Sequence, residues 1–160
     1  MKIILTDTGI YPGEIQKEDT VIRNTQNIQT CTGCHACWTK TPGRCVLKDP
    51  LENIGYLLSI CDELLIVSRC LYGGFSSFIQ RVIERMTPYL TPFYQSGSSM
   101  RHKLRYKHSF RISACFYGEN LSDPEKKEAV NAVNGLIDEL GCEKGRISFV
   151  TDALAAGGLS

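Results

Sequence analysis

Two kinds of apolar pattern alternate along this chain. Short apolar runs, typical of strands buried on both faces, cover residues 2–6, 20–24, 63–68, 110–116 and 146–150. Apolar residues at helical spacing predict helices over residues 50–61, from Ser77 to the residues before Pro88, and from about 122 to Gly141. Strands that alternate with helices predict an α/β fold built on a parallel sheet.

Local signals mark where two of these helices begin. Ser77 and Gln80 fit a capping box at the start of one helix. Ser122 is followed by a proline and early acidic residues, which is typical of a helix N-terminus, and Gly141 is a natural stop. Residues 91–108 show neither pattern and are predicted to form an irregular linker.

The length and charge of the chain narrow the classes of function. Its 160 residues suit a single domain, 1–160, with its own core. Eighteen basic against 17 acidic residues argue against a nucleic-acid or membrane partner. The apolar run at residues 2–6 is too short for an export signal or a membrane span, so we expect a cytoplasmic protein with reduced thiols. No Ser-His-Asp or paired-carboxylate pattern points to a hydrolase.

The predicted sheet places a ligand-binding edge. Ligands of open parallel sheets lie beyond the carboxyl ends of the strands, where the strand order reverses. We therefore expect ligand contacts from residues 6–9, 68–75 and 116–119.

A cysteine-rich loop, residues 31–45, holds four of the eight cysteines. Cys31, Cys34 and Cys37 follow at intervals of three, and Pro42-Gly43 supplies a turn that would bring Cys45 back to them. This spacing suits a [4Fe–4S] cluster with one thiolate on each iron. Zinc bound by four thiolates and a loop of free or disulfide-linked cysteines are the alternatives. The other cysteines (Cys61, Cys70, Cys115 and Cys142) lie in or beside core segments, where a thiol behaves as a small apolar group.

Two stretches of sequence resemble a known family. CTGCHACWTKTPGRCVLKDP and SRCLYGGFSSFIQRVIERM are similar to segments of the flavodoxin-like NAD(P)H-dependent FMN reductases, and of the iron–sulfur flavoproteins among them. In that family the second segment carries a proline–x–tyrosine–x–glycine loop along the flavin ring. Here Tyr72, Gly73, Gly74 and Ser76 match, while Cys70 stands in the place of the proline. The resemblance covers about residues 31–90.

The resemblance implies a flavodoxin-like doubly wound parallel sheet, bound FMN, and electron transfer between the flavin and a cluster or a nicotinamide donor. Glycines let a backbone approach a planar ring, although an ordinary strand-to-helix turn also favours glycine and serine. The cofactor-binding residues it implies, together with those at the predicted edge, are Thr6, Thr8, Gly9, Ser68, Cys70, Leu71, Tyr72, Gly73, Gly74, Phe75, Ser76, Tyr117 and Gly118. The metal ligands would be Cys31, Cys34, Cys37 and Cys45, and no catalytic residue is identified.

The chain departs from the family after its first strand. In the family a serine- and threonine-rich loop opens a helix whose N-terminus holds the FMN phosphate. Here residues 7–19 have no helical pattern, so we predict that the first helix is missing, and that a full C-terminal helix is missing too. FMN should then bind more weakly than in an intact family member. A sheet face left open would also favour a homo-oligomer, most simply a dimer.

Two functions follow from the sequence. The first is a flavin-dependent oxidoreductase or electron-transfer protein that exchanges electrons with a nicotinamide or a protein partner. The alternative is a flavin-free flavodoxin-like module that uses the four-cysteine site for metal binding, structure or partner binding.

Overall fold

The computed structural model describes residues 1–95 and 101–159. Within these ranges no helix has the length and apolar character needed to cross a membrane. The strands and helices in chain order are β1 (Lys2–Thr6), β2 (Thr20–Arg23), α1 (Ala36–Thr39), α2 (Ile54–Leu58), β3 (Glu63–Arg69), α3 (Ser77–Glu84), a 3₁₀ helix (Thr87–Tyr89), β4 (Leu90–Tyr94), β5 (His102–Leu104), β6 (Arg111–Tyr117), α4 (Asp123–Leu140), β7 (Glu143–Val150) and a 3₁₀ helix (Leu154–Leu159).

Five parallel strands form the central sheet, in the order β2-β1-β3-β6-β7. The chain starts in the middle at β1, crosses to β2 on one side, and then adds β3, β6 and β7 on the other. This is the flavodoxin-like doubly wound order, and the strand order reverses between β1 and β3. The fold class predicted from the sequence is confirmed.

Three helices cover one face of the sheet. Alternate residues of each strand, such as Ile3 and Leu5 in β1, share one buried core with apolar residues of α2, α3 and α4. The cap at Ser122 is confirmed, since its hydroxyl accepts the Glu125 N–H and the Glu125 carboxylate accepts the Ser122 N–H. Gly141 ends α4 with a φ of 62°, which glycine adopts at little cost.

Among residues 1–95 and 101–159, no such layer of helices covers the opposite face. As predicted, residues 7–19 form no helix, and only the 3₁₀ helix Leu154–Leu159 follows β7. Tyr11 and Ala156 nevertheless bury the apolar residues Ile4 and Val67 on this face. The premise of the predicted dimer, an open apolar face, therefore does not hold in the described part of the chain, and the homo-oligomer stays a prediction.

Two helix predictions need correction. α2 spans only Ile54–Leu58 rather than 50–61, because the Asp49 carboxylate accepts the Leu51 N–H and the chain turns there before the helix begins. The N-cap of α3 is Ser76 rather than Ser77, and its hydroxyl accepts the Ile79 N–H at 3.5 Å. Ser76 takes this place because its own N–H donates to the buried Ser68 hydroxyl at 2.9 Å.

The predicted irregular linker is also wrong in its described part. Residues 90–94 and 102–104 form an antiparallel pair, β4 and β5, while 96–100 lie outside the described residues. Aromatic stacking supports this pair, since the ring centroids of Tyr94 and His102 lie 4.4 Å apart.

Candidate functional site

A carboxylate lies at the carboxyl edge of the sheet, where the strand order reverses. Asp7 follows β1, and its Oδ2 accepts a hydrogen bond from the Arg69 backbone N–H at 2.8 Å. Its Oδ1 accepts one from the Tyr117 hydroxyl, also at 2.8 Å. The Asn24 side-chain amide donates to the Asp7 carbonyl. Asp7 therefore ties the end of β1 to the ends of β2, β3 and β6.

Tyr117 is held as a hydrogen-bond donor to this carboxylate. Burial raises the pKa of Tyr117 far above its ordinary value, and the hydrogen bond to Asp7 raises it further. The hydroxyl therefore keeps its proton throughout the physiological pH range.

The threonines of the first loop bond within their own loop. Thr6 is buried, and its hydroxyl lies 2.7 Å from the Thr8 hydroxyl. Thr8 in turn donates to the Ile10 carbonyl at 2.7 Å. Gly9 lies beside Thr25, since a Cβ built on it would sit 3.5 Å from the Thr25 methyl carbon. Thr6 and Thr8 thus already have hydrogen-bond partners within the protein.

The loop after β3 forms a tight turn at the same edge. Leu71 and Gly74 exchange backbone hydrogen bonds of 3.0 and 2.8 Å. Between them Tyr72 has a φ of 50°, in the left-handed region that is costly for a tyrosine, and its side chain is 94 % exposed. The Cys70 N–H donates to the Tyr117 carbonyl at 2.9 Å, so this loop and the β6 loop are adjacent.

Several predicted flavin contacts have structural roles here. Gly73 is required by packing, because a Cβ would lie 2.6 Å from the Glu128 Cβ on α4. The Cys70 thiol is buried in the helix-face core, and burial raises its pKa. Phe75 stacks on Phe116 with centroids 5.3 Å apart. Gly118 donates to the Val150 carbonyl at 3.1 Å. Beside it a cavity of about 350 Å³ opens between the ends of β6 and β7.

The end of β1 is poorly suited to the phosphate of FMN. The phosphate would need donors at the end of β1, and two donors there, the Arg69 N–H and the Tyr117 hydroxyl, are taken by Asp7. Residues 7–19 also supply no helix N-terminus. In contrast, the exposed side chains of Ile10, Leu71 and Tyr72 leave apolar surface on the loops of this edge.

The cysteine-rich loop gathers its four thiols around one cavity. Cys31, Cys34, Cys37 and Cys45 line a cavity of about 90 Å³, together with Glu84, Arg85, Thr87 and Pro88 at and after the end of α3. The turn predicted at 42–43 exists: Gly43 has a φ of 83° and donates to the Cys37 carbonyl at 3.0 Å. All eight cysteines are free thiols in this structure.

The four cysteines line the cavity but do not form a site for a single metal ion. Among the described residues, no three His, Cys, Asp or Glu side chains converge closely enough to bind one metal ion. A zinc ion needs all four sulfurs about 2.3 Å from one centre. A [4Fe–4S] cluster takes each thiolate at a different corner and suits a wider ring of cysteines. The described residues therefore show no preformed zinc site, and the cluster stays a prediction.

A buried arginine forms part of the cavity wall. The Arg85 guanidinium makes a two-pronged ion pair with Asp49, with N–O distances of 2.7 and 2.9 Å, and both side chains are at most 2 % exposed. Arg85 also donates to the Gln29 carbonyl at 2.7 Å. Burial alone would lower the pKa of Arg85, but Asp49 and the nearby Cys45 outweigh it and raise it. Its Nε is buried without a hydrogen-bond partner among the described residues.

The thiols themselves differ in acidity. Cys34 is exposed, and its pKa is lowered by hydrogen bonds from the Ala36 N–H and the Thr32 hydroxyl. Burial raises the pKa of Cys37, and its three neighbouring cysteines raise it further. The Trp38 indole packs against this loop, with its Nε1 donating to the Thr87 carbonyl at 3.2 Å and its ring stacked on His35.

Sequence reasoning did not single out Asp7, Arg85 or Asp49. Asp7 lies inside the predicted edge segment 6–9, but an acid is not expected where a phosphate should bind. Arg85 carried a usable signal, because it follows Val82 by three residues on the apolar stripe of α3. A cation on a buried stripe needs a buried anion, which is Asp49.

No protein-family model matches this chain, and the search of curated proteins gives no match. Solved structures match it across nearly its whole length. A flavone reductase shares 12 % identity at a TM-score of 0.57 over 98 % of this chain, which spans 56 % of that protein. The Trp repressor binding protein from Bacillus subtilis shares 9 % at 0.58, covering 98 % of this chain and 96 % of that one.

An azoreductase, AzrA, matches in the same way, with 11 % identity, a TM-score of 0.53, and coverage of 98 % of this chain and 95 % of that one. At these identities the likeness concerns the fold. It supports the flavodoxin-like strand order independently of the sequence motifs.

Proposed function

We propose that this chain is a redox protein of the flavin-dependent oxidoreductase type, with a [4Fe–4S] cluster in its cysteine cavity and a flavin ring at its carboxyl edge. The observation that carries the proposal is the gathering of Cys31, Cys34, Cys37 and Cys45 around one cavity.

The charges around the cavity matter to a cluster as well as the number of ligands. Four thiolates around iron leave a negative group that is costly to bury without a cation. Arg85 places a guanidinium in the wall near Cys45, although its ion pair with Asp49 offsets most of that charge. Its unpartnered Nε–H is a donor available to a cysteine sulfur.

The flavin part of the proposal is supported by the fold and by the edge. Two of the structural neighbours are named as reductases, a flavone reductase and an azoreductase. In this chain the exposed Tyr72 and Leu71 lie on the loop where the family resemblance places the flavin ring. α3, about 12 Å long at about 1.5 Å per residue, runs from the end of that loop to Glu84 in the lining of the cysteine cavity.

When bound, a flavin would accept a hydride from a nicotinamide and pass single electrons to the cluster. The chain's own residues would orient the ring on the Leu71–Gly74 turn and hold the cysteines around the cavity. We propose that the partner in this electron exchange is a nicotinamide or another protein.

Metal analysis of anaerobically isolated protein tests the cluster. We expect about four iron and four sulfide per chain, matching the cofactor. Cys34→Ser should lower both, because it removes one ligand. The matched control Cys142→Ser removes a thiol outside the cavity and should leave both unchanged. Stoichiometric zinc, or equal iron loss in both variants, would contradict the proposal.

A flavin-free module is the second candidate, and one observation favours it. Asp7 fills the place where an anionic cofactor group would bind at the end of β1. If the isolated chain carries iron and sulfide but binds no flavin, this candidate describes it better.

A further inference from the structure

The crevice between the ends of β1, β3 and β6 already contains an anion. The Asp7 carboxylate takes one hydrogen bond on each oxygen, from the Arg69 N–H and from the Tyr117 hydroxyl, both at 2.8 Å. Burial and Asp7 raise the pKa of Tyr117, and the positive charge of Arg69 acts in the opposite direction. A backbone N–H, a hydroxyl and a cation form the donor set that binds phosphate oxygens in proteins.

We infer that Asp7 is a built-in anion that occupies the phosphate subsite of this edge, and that the site consequently takes flavins without a 5′-phosphate in preference to FMN. The flavin half of this inference rests on the proposed function, while the anion half does not. Asp7 excludes a phosphate in two ways. It takes both donors, and its negative charge repels a phosphate at short range.

The anion half is tested with inorganic phosphate on the full chain. Asp7→Ala frees the Arg69 N–H and the Tyr117 hydroxyl and leaves a space next to Arg69. We expect 50 mM phosphate to raise the melting temperature of this variant by at least about 2 °C over potassium chloride of equal ionic strength, while the natural chain shows no specific rise. Asp138→Ala, which removes an exposed carboxylate from the last turn of α4, should behave like the natural chain.

Asp7→Asn is the second variant, in case Asp7→Ala does not fold. The amide keeps the shape and one acceptor but removes the charge, so a smaller phosphate-specific rise is expected. Absence of any rise in the folded Asp7 variants would overturn the inference. An equal rise in the natural chain would overturn it as well.

The flavin half is tested by titrating the natural chain and Asp7→Asn with riboflavin and with FMN, following the flavin fluorescence. The natural chain should bind riboflavin at least as tightly as FMN. Asp7→Asn should shift the preference towards FMN by about tenfold or more, because the repulsion between two nearby anions is gone. A hundredfold preference of the natural chain for FMN would overturn the inference and leave the proposed flavin function standing. If phosphate stabilises the Asp7 variants but neither flavin binds, the anion half of the inference stands and the proposed flavin function is wrong.

Discussion

The buried ion pair between Arg85 and Asp49 gives the sharpest prediction about stability. Both side chains are at most 2 % exposed, and the pair is two-pronged, with N–O distances of 2.7 and 2.9 Å. Asp49 also accepts the backbone N–H groups of Gln29 and Leu51 at 2.9 and 3.0 Å. Removing one partner leaves a buried charge without its counter-ion, which costs about 3 to 5 kcal/mol.

Asp49→Asn should therefore unfold at a much lower temperature. At about 2 to 4 °C per kcal/mol for a chain of this length, the melting temperature should fall by roughly 6 to 20 °C. The control Glu52→Gln removes a carboxylate of the same segment that pairs with Lys48 at the surface, and should change the melting temperature little. The double variant Asp49→Leu/Arg85→Met should recover much of the loss, since an apolar pair replaces both charges.

The same ion pair makes the stability of the chain fall at low pH. Burial alone would raise the pKa of Asp49, but hydrogen bonds from Arg85, Gln29 and Leu51 outweigh it and lower the pKa. A lowered pKa means that this contribution is complete above about pH 4 and is lost as the pH falls through the folded-state value. Thermal melts from pH 7 to pH 3 should show this loss in the natural chain and not in Asp49→Asn. If Asp49→Asn lowers the free energy of unfolding at pH 7 by less than about 1 kcal/mol, the reasoning is refuted.

Two further predictions concern the stability of glycine variants and the order in which the thiols react. Gly135→Ala should stabilise the chain by about 0.5 to 1 kcal/mol, because this exposed helical position has no atom within 4 Å of the new Cβ. Gly73→Ala should destabilise the chain by more than about 1 kcal/mol, because the φ of Gly73 is 79° and the new Cβ would lie 2.6 Å from the Glu128 Cβ. Chemical denaturation of the two glycine variants measures both changes in the free energy of unfolding. Equal changes in the two variants would contradict this prediction. In the metal-free chain, iodoacetamide should modify the exposed Cys34 first and Cys61 and Cys142 last, because burial raises the pKa of the latter two to about 12. Mass spectrometry of timed samples gives the order, and early labelling of Cys61 in folded protein would contradict it.

The strands were predictable because each is a nearly continuous apolar run, and such runs are buried wherever they pair. The missing helix at residues 7–19 was predictable from the absence of an apolar stripe. The cap at Ser76 was not, since two serines are adjacent and the choice depends on the Ser68 hydroxyl eight residues earlier. The hairpin of β4 and β5 depends on aromatic contacts that no local pattern records.

The candidate site was predictable only in part, for the same reason. The spacing of the cysteines and the turn at Gly43 are local, and the four cysteines line one cavity, while their role as cluster ligands stays a prediction. The contacts that decide the chemistry are between residues far apart in the chain. Asp7 meets Tyr117 across 110 positions, and Arg85 meets Asp49 across 36.

A reductive titration of the anaerobic chain with riboflavin bound tests the central claim most directly. A flavin takes up two electrons and a [4Fe–4S] cluster takes up one. Each chain should therefore take up about three electron equivalents from dithionite. The flavin and cluster absorption should bleach within the same titration. Uptake of about two equivalents with flavin bleaching alone would contradict the cluster, and uptake of none would contradict the account as a whole.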